Sequence, residues 1–218
     1  MRISLHTSFF IASLSFLLSA CSESFTDRRD GQSYDVVKIG NLTWMAENLN
    51  YETETSACPD GDSRNCKRLG LLYTWAEAKT VCPEGWRLPT KADFEALVNA
   101  ASGDAATSRA GNSGVVSNKV GAALKSRDGW FKKGNGTDEF GFNALPAGYR
   151  VAISKADDGT ISGGKFDGIG GYAYFWSATE DAENPESNAY YLFLSFSSDA
   201  ASLNSFAKED YRSVRCVR

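Results

Sequence analysis

The chain has 218 residues, 42% of them hydrophobic and 23% charged, with a formal net charge of −4; that length suits one globular domain with its own core, and the acidic balance speaks against nucleic acid as a partner. Its single histidine is His6, so everything after the first few residues lacks imidazole. That excludes Ser-His-Asp and Cys-His nucleophile activation and histidine-ligated zinc or haem, leaving carboxylate pairs, an oxygen-ligand cation site or no catalysis.

The chain opens with Arg2, the apolar run Phe9 to Leu18, and then Leu18-Ser19-Ala20-Cys21. The run is too short to cross a bilayer comfortably, and small residues before a cysteine resemble a bacterial lipoprotein signal over residues 1–20. In that pattern Cys21 becomes the first mature residue, diacylated on sulfur and acylated on nitrogen. Each buried CH₂ then contributes roughly 0.8 kcal/mol to the anchor. The alternative is an ordinary secretory signal with a chance cysteine. By analogy with enterobacterial sorting, Ser22 directs the protein to the outer membrane, facing the periplasm or the cell surface. Cleavage leaves 198 residues with 22 Lys plus Arg against 27 Asp plus Glu.

Residues 21–33 are polar and aperiodic, so they read as a mobile tether, and the domain is expected over 34–218. Tyr34 to Ile39, the turn Gly40-Asn41 and Leu42 to Met45 form a short hairpin pattern. Leu71 to Val81 has helical spacing and stops at Pro83. Cys82 to Thr90 carries two prolines and reads as extended. Thr90 then caps a second helix, with Asp93 placed to reach back to the cap and Phe94, Leu97, Val98 and Ala101 as its apolar stripe. Residues 102–120 read as a surface loop, followed by a helical turn at Val120 to Leu124. Strands are expected in Phe142 to Arg150, Tyr174 to Thr179, Ala189 to Phe196 and Tyr211 to Arg218.

Four cysteines remain after Cys21: Cys58, Cys66, Cys82 and Cys216. An even count in an exported chain reads as two disulfides. Of three connectivities, Cys58 with Cys66 and Cys82 with Cys216 is favoured, because one closes a turn-rich loop and the other ties an early segment to the last strand. The long bridge is then worth about 5 kcal/mol and the short one about 2.5 kcal/mol by chain entropy. Zinc is the alternative, but there is no C-x-x-C pair.

Gly70 to Ala76, Cys82 to Thr90, Phe142 to Arg150, Phe175 to Glu180 and Ser213 to Val217, in this order, resemble the Fibrobacter succinogenes major paralogous domain, a family of exported bacterial proteins. The departures are Arg68-Leu69-Gly70-Leu71 where the family commonly has Tyr-Gly-Arg, and Ala178 in place of a second Ser. The resemblance implies an α+β, C-type-lectin-like domain: an early hairpin, two helices, long irregular loops and a late antiparallel sheet. Cys82 with Cys216 would be the superfamily's bridge from first helix to last strand. The resemblance supplies no catalytic residue and no cofactor.

Lectin calcium sites use Glu-Pro-Asn or Gln-Pro-Asp with a later Trp-Asn-Asp. The nearest approach is Glu183-Asn184-Pro185, so Asp181, Glu183 and Asn184 form a weak calcium candidate beside the simpler reading of a solvated acidic turn. Aromatic rings offer a cation-free route, since they stack on sugar faces or pack against protein. Phe166, Tyr172 and Tyr174 in the glycine-rich stretch 163–174, and Trp130-Phe131, are the ligand-contact candidates. Trp75, Trp86 and Trp176 read as core. The expected function is a noncatalytic, lipid-anchored binding module for polysaccharide or an envelope protein. The alternatives are a hydrolase or modifying enzyme using a carboxylate pair such as Asp138-Glu139, Asp157-Asp158 or Glu180-Asp181, and a purely structural envelope protein.

Overall fold

The hairpin at Gly40 is dictated by its turn residues. In the computed structural model, which describes residues 23–102, 114–117, 119–155, 157–158 and 160–218, β2 (Ser33–Ile39) and β3 (Leu42–Met45) are antiparallel with Ile39 opposite Leu42. Gly40 takes φ +62°, the left-handed conformation that glycine reaches without a Cβ penalty. Tyr34 and Val36 of β2 point into one core cluster and Ile39 into another.

The stretch read as a tether folds from Glu23 onward, which corrects that expectation. Glu23–Thr26 forms β1, antiparallel to β2 with Phe25 opposite Tyr34. The Phe25 ring lies 5.2 Å from that of Trp86. Asp27, 1% exposed, accepts from the backbone N–H and the guanidinium of Arg29, whose Nη1 also donates to the Val81 carbonyl at 2.8 Å. Polar residues that look disordered by composition are here spent on a local ion-paired turn. Residues 1–20 and Cys21 lie outside the described residues.

The first expected helix starts later than its periodicity suggests. Leu72–Tyr73 is a short strand, β4, and Thr74 caps the helix Trp75–Val81 in a reciprocal box with Glu77. An unexpected helix precedes both. Ser63–Leu69, α1, follows a 3₁₀ turn at Pro59–Gly61 and is capped by Asp62, so Trp75–Val81 is α2. Its one buried residue, Leu69, leaves no apolar stripe to read. Lys91–Ser102 (α3) buries Phe94, Leu97 and Val98, and Asp93 accepts from the Thr90 backbone N–H at 2.7 Å as expected. Val120–Leu124 is α4. Four α-helices therefore stand among the described residues where two and the helical turn at Val120 to Leu124 were expected.

The main sheet has six strands in the order β4, Arg212–Ser213 (β13), Tyr172–Glu180 (β10), Asn188–Ser195 (β11), Ala201–Ala207 (β12) and Gly114–Ser117 (β5). Its centre is β10 against β11, with β12 alongside. β5 lies within the segment read as loop, whose residues 103–113 and 118 are outside those described. The final strand is shorter than expected. Only Arg212–Ser213 (β13) joins the sheet, parallel to β10, while Val217 exchanges two backbone hydrogen bonds of 2.9 Å with Arg87. Ala147–Arg150 (β6) pairs with Phe166–Ile169 (β9), and Ser154–Lys155 (β7) with Ile161–Ser162 (β8).

One sheet face packs Phe175, Leu192, Leu194 and Leu203 against Phe94, Leu97 and Val98 of α3. At one end of the other face, Trp176 and Tyr191 meet Trp75, Met45 and Val214. Arg215, wholly buried, links the chain's tail to two distant loops. It donates to Asn48 Oδ1 at 2.7 Å and to the carbonyls of Met45, Phe142 and Asn143. Both expected disulfides are present, Cys58–Cys66 with Cα atoms 4.9 Å apart and Cys82–Cys216 at 5.8 Å. The fold is mixed α+β, built mostly of sheet.

Candidate ligand-binding face

Alternation along β10 puts Tyr172, Tyr174 and Trp176 on one face, opposite Ser195, Phe193 and Tyr191 of β11. Trp176 is fully buried, and its Nε1 donates to the Tyr73 carbonyl at 2.8 Å. Tyr172, Tyr174 and Phe193, further along the strands, stay partly exposed. Tyr149 of β6 meets Tyr174 edge-on at 5.2 Å, Tyr174 lies 5.1 Å from Phe193, and Phe193 lies 5.7 Å from Tyr172. Phe196 is 6.1 Å from Tyr172, and Phe131 is 6.4 Å from Phe196. The six rings form one continuous row. Phe131 ends it at 53% exposure.

The glycines of 163–174 allow this row to form. A Cβ on Gly170, at φ +75°, would stand 2.4 Å from Phe131 Cε1, and one on Gly168 would stand 2.6 Å from Tyr172 Cδ2. The Phe131 N–H donates to the Gly170 carbonyl at 2.7 Å and the Phe196 N–H to that of Gly171 at 2.8 Å. These glycines admit rings against backbone; loop flexibility is not their role.

At the Tyr174 end of the row lies Arg212, 2% exposed, with Cζ 5.7 Å from the Tyr174 ring, 4.3 Å from that of Trp176 and 4.6 Å from that of Tyr191. Burial lowers its pKa, opposed by Asp210, whose carboxylate is 3.4 Å away. Burial also raises the pKa of Tyr149, Tyr174 and Tyr191, so these phenols stay protonated and able to donate at neutral pH. Lys132 Nζ stands 5.3 Å over the Phe196 ring, adding a cation at the exposed end. The row therefore offers apolar ring surface edged by hydroxyl donors and an ammonium.

A family model, the Fibrobacter succinogenes major domain, matches residues 37–218. The chain belongs to this family. No curated protein and no solved structure matches it. The match to the Fibrobacter succinogenes major domain begins inside β2, so β1 and its ion-paired turn precede the matched range.

Three of the aromatic candidates, Phe131, Tyr172 and Tyr174, come together in this Fibrobacter succinogenes major domain. Two do not. Trp130 is 5% exposed and donates from Nε1 to Ser126 Oγ at 3.0 Å, so it is core and not a surface ring. Phe166 packs beside Leu69, Leu72 and Leu145, with Arg150 over its ring at 5.4 Å, in a different apolar cluster from Tyr174 and Phe193. Tyr149, Phe193 and Phe196 were not singled out from sequence. The alternation of Leu192 and Leu194 with Tyr191 and Phe193 was the available signal, an aliphatic face backed by an aromatic one.

The acidic turn is spent on protein donors. Asp181, 4% exposed, accepts from Ser205 Oγ at 2.7 Å and from the Glu183 N–H at 3.1 Å, which hold its pKa below the usual range. The Asn184 carbonyl accepts from the N–H groups of Ser187 and Asn188. Among the described residues no group of three or more His, Cys, Asp or Glu is placed to hold a metal ion. None of the described helices is long and apolar enough to cross a membrane. Glu180, from one of the candidate carboxylate pairs, is bonded to Lys208 Nζ at 2.8 Å. A separate open cleft of about 520 Å³ lies beside Trp75, Lys79, Ile153, Lys208 and Tyr211.

Proposed function

We propose that this protein is a noncatalytic binding module held to the outer membrane by acylation of Cys21, and that it engages polysaccharide through the row Phe131–Phe196–Tyr172–Phe193–Tyr174–Tyr149. The observation that carries the reading is that row: six rings in mutual contact, partly open to solvent, with phenol donors at one end and Lys132 at the other. Flat rings present large rigid area at small entropic cost, and sugar faces offer matching C–H surface with hydroxyls at the rim. Each described carboxylate whose pKa departs clearly from its ordinary value is held below it, the opposite of what a general acid needs; Asp93 and Glu77 are examples. The order of hairpin, helices and late sheet, with Cys82 at the end of α2 bridged to Cys216, supports a lectin-like arrangement.

The test is affinity electrophoresis of the purified protein through gels containing laminarin, xylan, glucomannan or pectin. Wild type is retarded by at least one, and Phe131→Ala removes most of that retardation while Phe166→Ala does not. Absence of retardation in all four gels, or equal retardation of Phe131→Ala, sinks the proposal.

A further inference from the structure

We propose that the domain sits directly on the phospholipid headgroup layer through the surface around the start of β1, with no linker between lipid and fold. This rests on the reading of Cys21 as the acylated first mature residue. Only Ser22 separates Cys21 from Glu23, which is already in register with Val36 of β2. Two residues of fully extended chain reach about 7 Å, so the Cys21 Cα lies within that distance of the Glu23 Cα. The glycerol joined to the Cys21 sulfur belongs at headgroup depth, and the first strand is carried there with it.

β1 does not peel away cheaply to lengthen the connection. Phe25 stacks with Trp86, and the turn that follows is fixed by Asp27, Arg29 and the end of α2. Beside Glu23 the protein presents an open depression of about 540 Å³ bordered by Asp35, Lys38, Thr43, Asp138 and Gly141. None of the large exposed hydrophobic residues, Phe131, Ile153 and Phe206, borders it, so this surface rests on headgroups and does not insert. Three carboxylates, Glu23, Asp35 and Asp138, stand there against one ammonium, Lys38. That balance fits zwitterionic headgroups, whose ammonium groups meet the carboxylates, better than a strongly anionic layer. A seated domain also holds the aromatic row at a fixed attitude to the membrane.

The experiment uses the full-length protein processed in its host and reconstituted into phosphatidylcholine vesicles, with a nitroxide on Lys38→Cys. The comparison carries twelve Gly and Ser residues inserted between Ser22 and Glu23. Collision of the label with an aqueous nickel chelate is expected to be severalfold lower without the insertion than with it. Protein that floats with the vesicles but shows equal collision rates in the two forms overturns direct seating while leaving the lipid anchor standing. Protein that stays in the supernatant with Cys21 unmodified by mass spectrometry overturns the anchor, and direct seating with it.

Discussion

Arg215→Met is expected to destabilise the domain strongly, because the groups that Arg215 satisfies stay behind when it is removed. Its guanidinium is wholly buried between the rings of Phe142 and Phe175, at 4.8 and 5.2 Å, and burial pulls its pKa down to about 9, so it is still charged at pH 7. It donates to four acceptors: Asn48 Oδ1 and the carbonyls of Met45, Phe142 and Asn143. Replacing a buried ion pair by apolar residues is often neutral, since both charges leave together. Here the partners are mostly backbone oxygens, which one substitution does not remove. At about 1 kcal/mol for each acceptor left without a donor, the loss is about 4 kcal/mol. For a domain of this size that lowers the melting temperature by roughly 8–16 °C. Urea unfolding followed by near-UV circular dichroism, with both disulfides oxidised, measures it. A loss below about 1 kcal/mol would refute the reasoning, because it would mean that water or relaxation satisfies those oxygens as well as the guanidinium does.

Removing Cys82–Cys216 by a double Ala substitution should cost about twice as much stability as removing Cys58–Cys66, since the closed loops span 134 and 8 residues in separation; paired urea melts check the ratio. Gly170→Ala should displace Phe131 and weaken ligand retention, because the added Cβ falls 2.4 Å from Phe131 Cε1, and should also lower the melting temperature by roughly 2–8 °C, because an L-residue at φ +75° costs about 1–2 kcal/mol. Acid should destabilise the fold. Asp27 is held low by its hydrogen bonds from Arg29; for Glu77 and Asp93 burial acts upward but is outweighed by bonds from Thr53, Thr55 and Thr74 and from Arg87 and Thr90 respectively. Folded pKa values below the unfolded ones give stability that is present above the unfolded values near pH 4 and is lost as pH falls through the folded ones. Denaturation midpoints from pH 7 to pH 2 should therefore fall steeply below about pH 4, and Asp27→Asn should flatten that slope.

Elements with a local cause were legible in the sequence. Gly40-Asn41 sets the hairpin, Thr90 with Asp93 sets the start of α3, and the four cysteines pair as their loops suggest. Elements held by tertiary contacts were not. β1 is polar and becomes a strand only because β2 pairs with it and Trp86 receives Phe25. α1 has one buried side chain, and β12 buries only Ala201 and Leu203 while its Phe206 stays exposed. The same division holds at the candidate site. A glycine-rich stretch with tyrosines was visible, but that Phe131, Phe193, Phe196 and Tyr149 converge on it depends on strand register and on two glycine carbonyls. Trp130 and Phe131 are neighbours in sequence, yet Trp130 is core at 5% exposure, its Nε1 donating to Ser126 Oγ, and Phe131 is surface at 53%.

Aromatic ¹³C NMR of the protein titrated with oligosaccharides of a polysaccharide that retards it would locate the contact residue by residue. Ligand binding at the row requires shifts at Phe131, Tyr149, Tyr172, Tyr174, Phe193 and Phe196, with the buried Trp130, and Phe166 in its separate apolar cluster, unmoved. Shifts confined to Trp75 and Tyr211 at the open cleft would contradict it.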